Sequence, residues 1–101
     1  MESERFEWDD WKAIRNQVRH GVDFEEAATV FDDNLMLDFD DIEHSGDEPR
    51  DILIGRSIQN RILLLVYTQR VWKDGLERYR IISARKATPA ERMVYEAQRR
   101  S

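Results

Sequence analysis

Arg70, Arg78, Arg80, Arg85 and Lys86 crowd the last third of a chain of 101 residues whose net charge is −5. Guanidinium forks match phosphate oxygens and stay charged at any working pH. The stretch RIISARKATPAER, residues 80–92, reads first as a strand with arginines at its ends and then as a helix start. If the segments on either side of Asp74-Gly75 pair as a hairpin, several of these cations meet on one sheet edge or surface. The N-terminus of the helix after Thr88 adds a partial positive charge nearby. This is a seat for an RNA backbone; the same spacing also fits arginines paired with acidic neighbours inside a fold. Tyr67, Trp72 and Tyr79 flank the same hairpin, and aromatic faces beside arginines suit base stacking. Tyr67 equally suits packing on the sheet, and Trp72 a protein interface.

Other chemistries find less support. There is no cysteine, which excludes disulfides, thiolate zinc sites and cysteine nucleophiles. Asp38, Asp40, Asp41, Glu43 and His44 invite a metal, but their spacing is not a calcium loop and no second histidine stands four residues away, so no metal is assigned. Ser57 and Ser83 lack the histidine a hydrolytic triad needs, because His20 is explained as a helix-end residue. Lys12, Arg15 and Arg19 share one side of the first helix. That side is either a solvent face or a flank of an RNA groove.

The elements that would position these residues follow from local pattern. Phe6 and Trp8 alternate with charges in a short strand. Asp9 caps a helix through about Arg19, with Trp11, Ile14 and Val18 on one face, and His20-Gly21 stops it. Asp23-Phe24-Glu25-Glu26, a capping-box variant, opens a second helix with Phe24, Ala27, Ala28 and Phe31 on one side. Leu35–Phe39 alternates as a strand with Leu35, Leu37 and Phe39 inward. Residues 40–49 form a polar loop. Residues 51–58 form a strand, and RILLLVYT, residues 61–68, is apolar on both faces and therefore central. Asp74-Gly75 turns the chain into a return strand over 79–84. Thr88-Pro89-Ala90-Glu91 starts a last helix with Met93, Val94 and Ala97 on its apolar side. The order predicts an α+β domain over residues 1–101: a small, mainly antiparallel sheet, two N-terminal helices and one C-terminal helix.

Composition sets the surroundings. Residues 1–51 carry 17 acidic and 5 basic side chains, and residues 52–101 carry 4 and 11. Either the halves attract each other within the fold, or one end meets an anionic partner and the other a basic one. No apolar run approaches the ~20 residues that span a bilayer. The acidic start MESERFEWDD has no signal-peptide core, which reads as a cytoplasmic chain without a membrane partner.

The segments FEWDDWKAIRNQVRHGVDFEEAATVFDD, IGRS, LLVYTQR and YRIISARKATPAER together resemble the BrnT toxins of bacterial type II toxin–antitoxin pairs, from about Phe6 to Tyr95. The resemblance implies a RelE-like ribonuclease fold and metal-independent RNA cleavage that inhibits translation, with no cofactor. It implies a ribbon-helix-helix antitoxin as partner, operator DNA reached only through that antitoxin, and a dimer or heterotetramer with it. Its motifs fall on Thr68-Gln69-Arg70 and on Arg80 and Arg85. On that basis Arg70, Arg80 and Arg85, with Gln69, are expected to be catalytic, and Tyr67 or Tyr79 is the candidate base; Arg78, Lys86, Thr68, Tyr79 and Trp72 are expected on the RNA. The family often has Thr-Glu-Arg where this chain has Thr68-Gln69-Arg70. Glutamine has no proton-accepting carboxylate, which keeps a second reading open: a BrnT-like interaction module without turnover.

Overall fold

The computed structural model describes residues 5–41, 49–71 and 74–98. Two layers of helix enclose one sheet. Its strands are β1 (Phe6–Glu7), β2 (Leu37–Asp40), β3 (Asp51–Arg56), β4 (Ile62–Val71) and β5 (Glu77–Lys86), in the spatial order β1-β5-β4-β3-β2. The neighbours β2–β3, β3–β4 and β4–β5 are antiparallel, as expected. β1 departs from that pattern and runs parallel to β5, pairing Phe6 with Tyr79 and Glu7 with Arg80. β4 is central, and its continuous apolar run is explained by burial on both faces.

One face carries Leu53, Leu63, Leu65, Tyr67 and Ile81. It is covered by Val22, Phe24, Ala27 and Val30 from α2 (Phe24–Thr29) and its surroundings. The other face carries Ile54, Ile62 and Leu64 under Tyr95 of α3 (Pro89–Ala97). The expected apolar side of α3 is corrected. Met93 and Val94 are exposed, and the helix is held instead by Tyr95, whose hydroxyl donates to Asp33 at 2.6 Å.

The caps read from the sequence are present. Asp9 accepts from the Lys12 amide, Asp23 from Glu26 and Thr88 from Glu91, whose side chain returns to the Thr88 amide. Gly21 closes α1 (Asp10–His20) in the left-handed conformation, φ 68°, where a side chain would be strained. Gly75 turns the β4–β5 hairpin at φ 82°.

Two expectations fail for one reason: periodicity locates a stripe but not the side that faces the core. Trp11, Ile14 and Val18 are 72%, 56% and 83% exposed. α1 is held instead through Asn16, hydrogen-bonded to Ala84 of β5, and Ala13, packed on the core; His20 beside them is partly buried. Leu35 precedes β2, and Phe39 within it is exposed.

The sheet's open edges are finished by side chains. Beyond β1, Asn16 donates to the Ala84 carbonyl at 2.7 Å and accepts from the Ala84 amide at 3.1 Å. Beyond β2, Asp33 accepts from the Arg56 amide at 2.8 Å. Each replaces a missing strand neighbour and blunts an edge that would otherwise pair with another chain.

Candidate active site

The β4–β5 register decides which cations share a face. Arg70 lies directly opposite Arg78, and Thr68 opposite Arg80. Ile82 is a bulge, because Tyr67 pairs with Ile81 while Val66 pairs with Ser83. An uninterrupted strand would send Arg80 and Arg85 to opposite faces, since side chains alternate. The extra residue restores both to the face that α3 partly covers.

Sharing a face does not bring all three catalytic candidates together. Arg80 and Arg85 pair with Thr68 and Leu64, four residues apart on β4, so about 13 Å separates them by strand rise, and Arg70 lies farther still from Arg85. Arg85 is also committed elsewhere: its two terminal nitrogens meet the two carboxylate oxygens of Glu91 at 2.8 and 3.0 Å. That pair and the Thr88 amide hold the Glu91 carboxyl down at about 2. Arg85 therefore braces the start of α3. The expectation of one phosphate held by Arg70, Arg80 and Arg85 is corrected to a cluster of Arg70, Arg78 and Arg80.

Glu7 completes that cluster, and no local sequence signal marked it. Its pairing with Arg80 in the β1–β5 register sets it on the arginine face. Its side chain is only 8% exposed, with Oε1 3.8 Å from the Arg80 guanidinium. Among the described residues that oxygen is a buried polar atom with no hydrogen bond. A buried carboxylate beside an arginine orients that guanidinium, and a fixed guanidinium is the kind of donor that stabilises charge at a phosphate. Arg78 adds an ion pair to Asp74 at 3.6 Å.

The aromatic candidates lie on the other face. Tyr67 and Tyr79 pack edge to face at 5.6 Å within a cluster completed by Phe6 and Phe31. The Tyr67 hydroxyl donates to Asp38 at 2.8 Å. Burial first, then Asp38, pushes that hydroxyl far above the ordinary tyrosine range. A hydroxyl held protonated in this way does not act as a base, and the expectation of Tyr67 in that role is corrected. Gln69 is exposed opposite Tyr79 on that same face, away from Arg80. Thr68 is 1% exposed and donates to the Pro49 carbonyl at 2.7 Å, so burial removes it from RNA contact. Lys86 is exposed at the far end of β5, lining a groove with Arg56, Arg61 and Arg92. Trp72 and the metal candidates Glu43 and His44 lie outside the described residues. Among the described residues no acidic or histidine cluster has metal-binding geometry, and no helix is long and apolar enough to cross a membrane.

Comparison with known proteins gives the geometry a context. The family model of the ribonuclease toxin BrnT of type II toxin–antitoxin systems matches residues 8–91. The crystal structure of the Brucella abortus ribonuclease toxin BrnT is similar in fold. Its TM-score is 0.62 at 23% identity, over 85% of this chain and 99% of that one. No curated protein matches the chain by sequence.

Proposed function

This chain belongs to the BrnT family of ribonuclease toxins of type II toxin–antitoxin systems, and from that premise we propose that it cleaves RNA at the Glu7–Arg80 pair. The family implies an antitoxin partner. The observation that carries the reading is the buried Glu7 carboxylate, with one oxygen unbonded, against a guanidinium on the arginine face.

In the proposed mechanism the buried Glu7 carboxylate orients the Arg80 guanidinium toward the phosphate, and the ribose 2′-hydroxyl gives its proton to solvent. The 2′-oxygen then attacks the adjacent phosphorus. The bond from phosphorus to the 5′-oxygen breaks, and that oxygen leaves with a proton from solvent. The products are a 2′,3′-cyclic phosphate and a 5′-hydroxyl. Arg80, with Arg78 and Arg70, stabilises the negative charge that builds on the phosphoryl oxygens, so the reaction runs without a metal. Losing one such donor typically costs about 3–4 kcal/mol of transition-state stabilisation.

Inhibition of translation follows from RNA cleavage in the cytoplasm. The partner that neutralises it is proposed to be a ribbon-helix-helix antitoxin, which also carries the pair to operator DNA in a heterotetramer.

The test is cleavage of RNA by the free chain in EDTA, beside Arg80→Ala, Glu7→Gln and Gln69→Glu. Wild type cleaves, and Arg80→Ala slows cleavage by at least ~10²-fold with an unchanged circular dichroism spectrum. Glu7→Gln slows it. Full activity in Arg80→Ala overturns the assignment. Cleavage by Gln69→Glu alone establishes the other reading, an interaction module without turnover.

A further inference from the structure

α1 is amphipathic the wrong way round for a helix that packs only within its own chain. At 100° per residue, Trp11, Ile14 and Val18 cluster on the side opposite Ala13, Asn16 and His20, the first two of which meet the core and β5. The exposed stripe is contiguous, two turns long and among the most solvent-exposed apolar groups of the described residues. Large apolar side chains held in water along one ridge mark a binding surface. Ile14 and Val18 also line a groove of about 480 Å³ that runs to the β5 bulge at Ile82 and Ser83.

Charge identifies the occupant. Lys12, Arg15 and Arg19 follow one flank of the stripe, and the same groove is lined by all three. They stand in the acidic half of the chain, where 17 carboxylates face 5 cations. An apolar ridge with a basic rim is complementary to an amphipathic helix with an apolar stripe and an acidic flank. Trp11 offers a π-face, but Ile14 and Val18, the apolar α1 residues that line the groove, do not, which favours protein over RNA in the groove.

We infer that the Trp11–Ile14–Val18 face of α1 is the docking surface for an acidic amphipathic helix of the antitoxin. The inference rests on the toxin reading above, because that reading supplies the partner. A helix seated there covers the outer side of α1 and, through the groove, reaches Ile82 and Ser83 of β5. Neutralisation then acts through the strand that also carries Arg80.

The test uses the full chain co-expressed with the small protein encoded beside it. Affinity is measured for wild type, Ile14→Asp, Val18→Asp and the pair Arg15→Glu/Arg19→Glu, with RNA cleavage by each free protein alongside. Binding weakens at least 100-fold in Ile14→Asp and Val18→Asp. It weakens at least tenfold in the charge-reversed protein, and wild-type affinity falls as salt rises. Cleavage by Ile14→Asp and Val18→Asp stays at the wild-type rate, which reports an intact fold. Wild-type affinity in all variants overturns the docking surface and leaves the ribonuclease reading untouched. Lost RNA binding with retained partner affinity overturns it in favour of nucleic acid, and a wild-type dimer abolished by Val18→Asp, again with partner affinity retained, in favour of a second copy. Absence of any wild-type complex overturns the antitoxin partner, and the docking surface falls with it.

Discussion

Glu26 illustrates what a buried charge requires. Its side chain is 1% exposed and forms a short ion pair with Arg61, whose Nε donates to it at 2.9 Å, while the Ser57 hydroxyl donates at 2.6 Å. The Arg61 bond holds its carboxyl below the usual range despite desolvation. Glu26→Ala leaves Arg61 and Ser57 without their acceptor and lowers stability by about 3–5 kcal/mol, read by urea denaturation. Asp51 is the opposite case. Burial, then Asp38 and Asp40, raises its carboxyl. Its stability contribution is full below the unfolded value near ~4 and is lost as pH rises through the raised value. Asp51→Asn therefore raises Tm at neutral pH, and the gain disappears in acid; an equal gain at pH 3 would refute the cause. Asp23 was legible as a cap because its partner is three residues away. Glu26, Asn16 and Glu7 were not, since their partners lie 35, 68 and 73 positions away in a sequence that offers no local sign of the pairing.

At the scale of elements, local chemistry was legible and orientation was not. The capping box of α3, the left-handed stop of α1 and the Asp74-Gly75 hairpin are each decided within a few residues, and all formed where the residue types require. Strand pairing was harder. A bulge at Ile82 leaves no signature in RIISAR, yet it sets which arginines share a face. Gly55 similarly reads as an interruption of β3, but it is a contact. A Cβ built there would lie 2.7 Å from Val30 Cγ1, 3.1 Å from Asp33 Oδ2 and 3.3 Å from Met36 Cβ. Gly55→Ala forces the 30–36 segment off the sheet and costs about 1–3 kcal/mol. Thermal denaturation measures it, and an unchanged Tm would mean the segment yields freely.

For the whole molecule, the imbalance between the two halves is partly answered inside the fold. Glu26–Arg61 and Glu7–Arg80 each join an acidic-half carboxylate to a basic-half guanidinium. Arg70, Arg78 and Arg80 outnumber the Glu7 carboxylate on their face, so RNA turnover is expected to depend on ionic strength. If two or three phosphates are neutralised, log kcat/KM falls against log salt with a slope of about −1.4 to −2.1 for single strands. A flat profile between 50 and 200 mM salt would place the binding energy elsewhere.

The parallel pairing of β1 with β5 also imposes an order of events. Glu7 and Arg80 are neighbours in space but stand 73 positions apart in the sequence. At ~5–20 residues per second, roughly 4–15 s separate their synthesis. Throughout that interval the nascent chain holds the carboxylate without its guanidinium, and β5 is absent when β1 emerges. Topology thus acts as a timer: the site proposed to cut RNA cannot exist until β5 has followed β1 out of the ribosome.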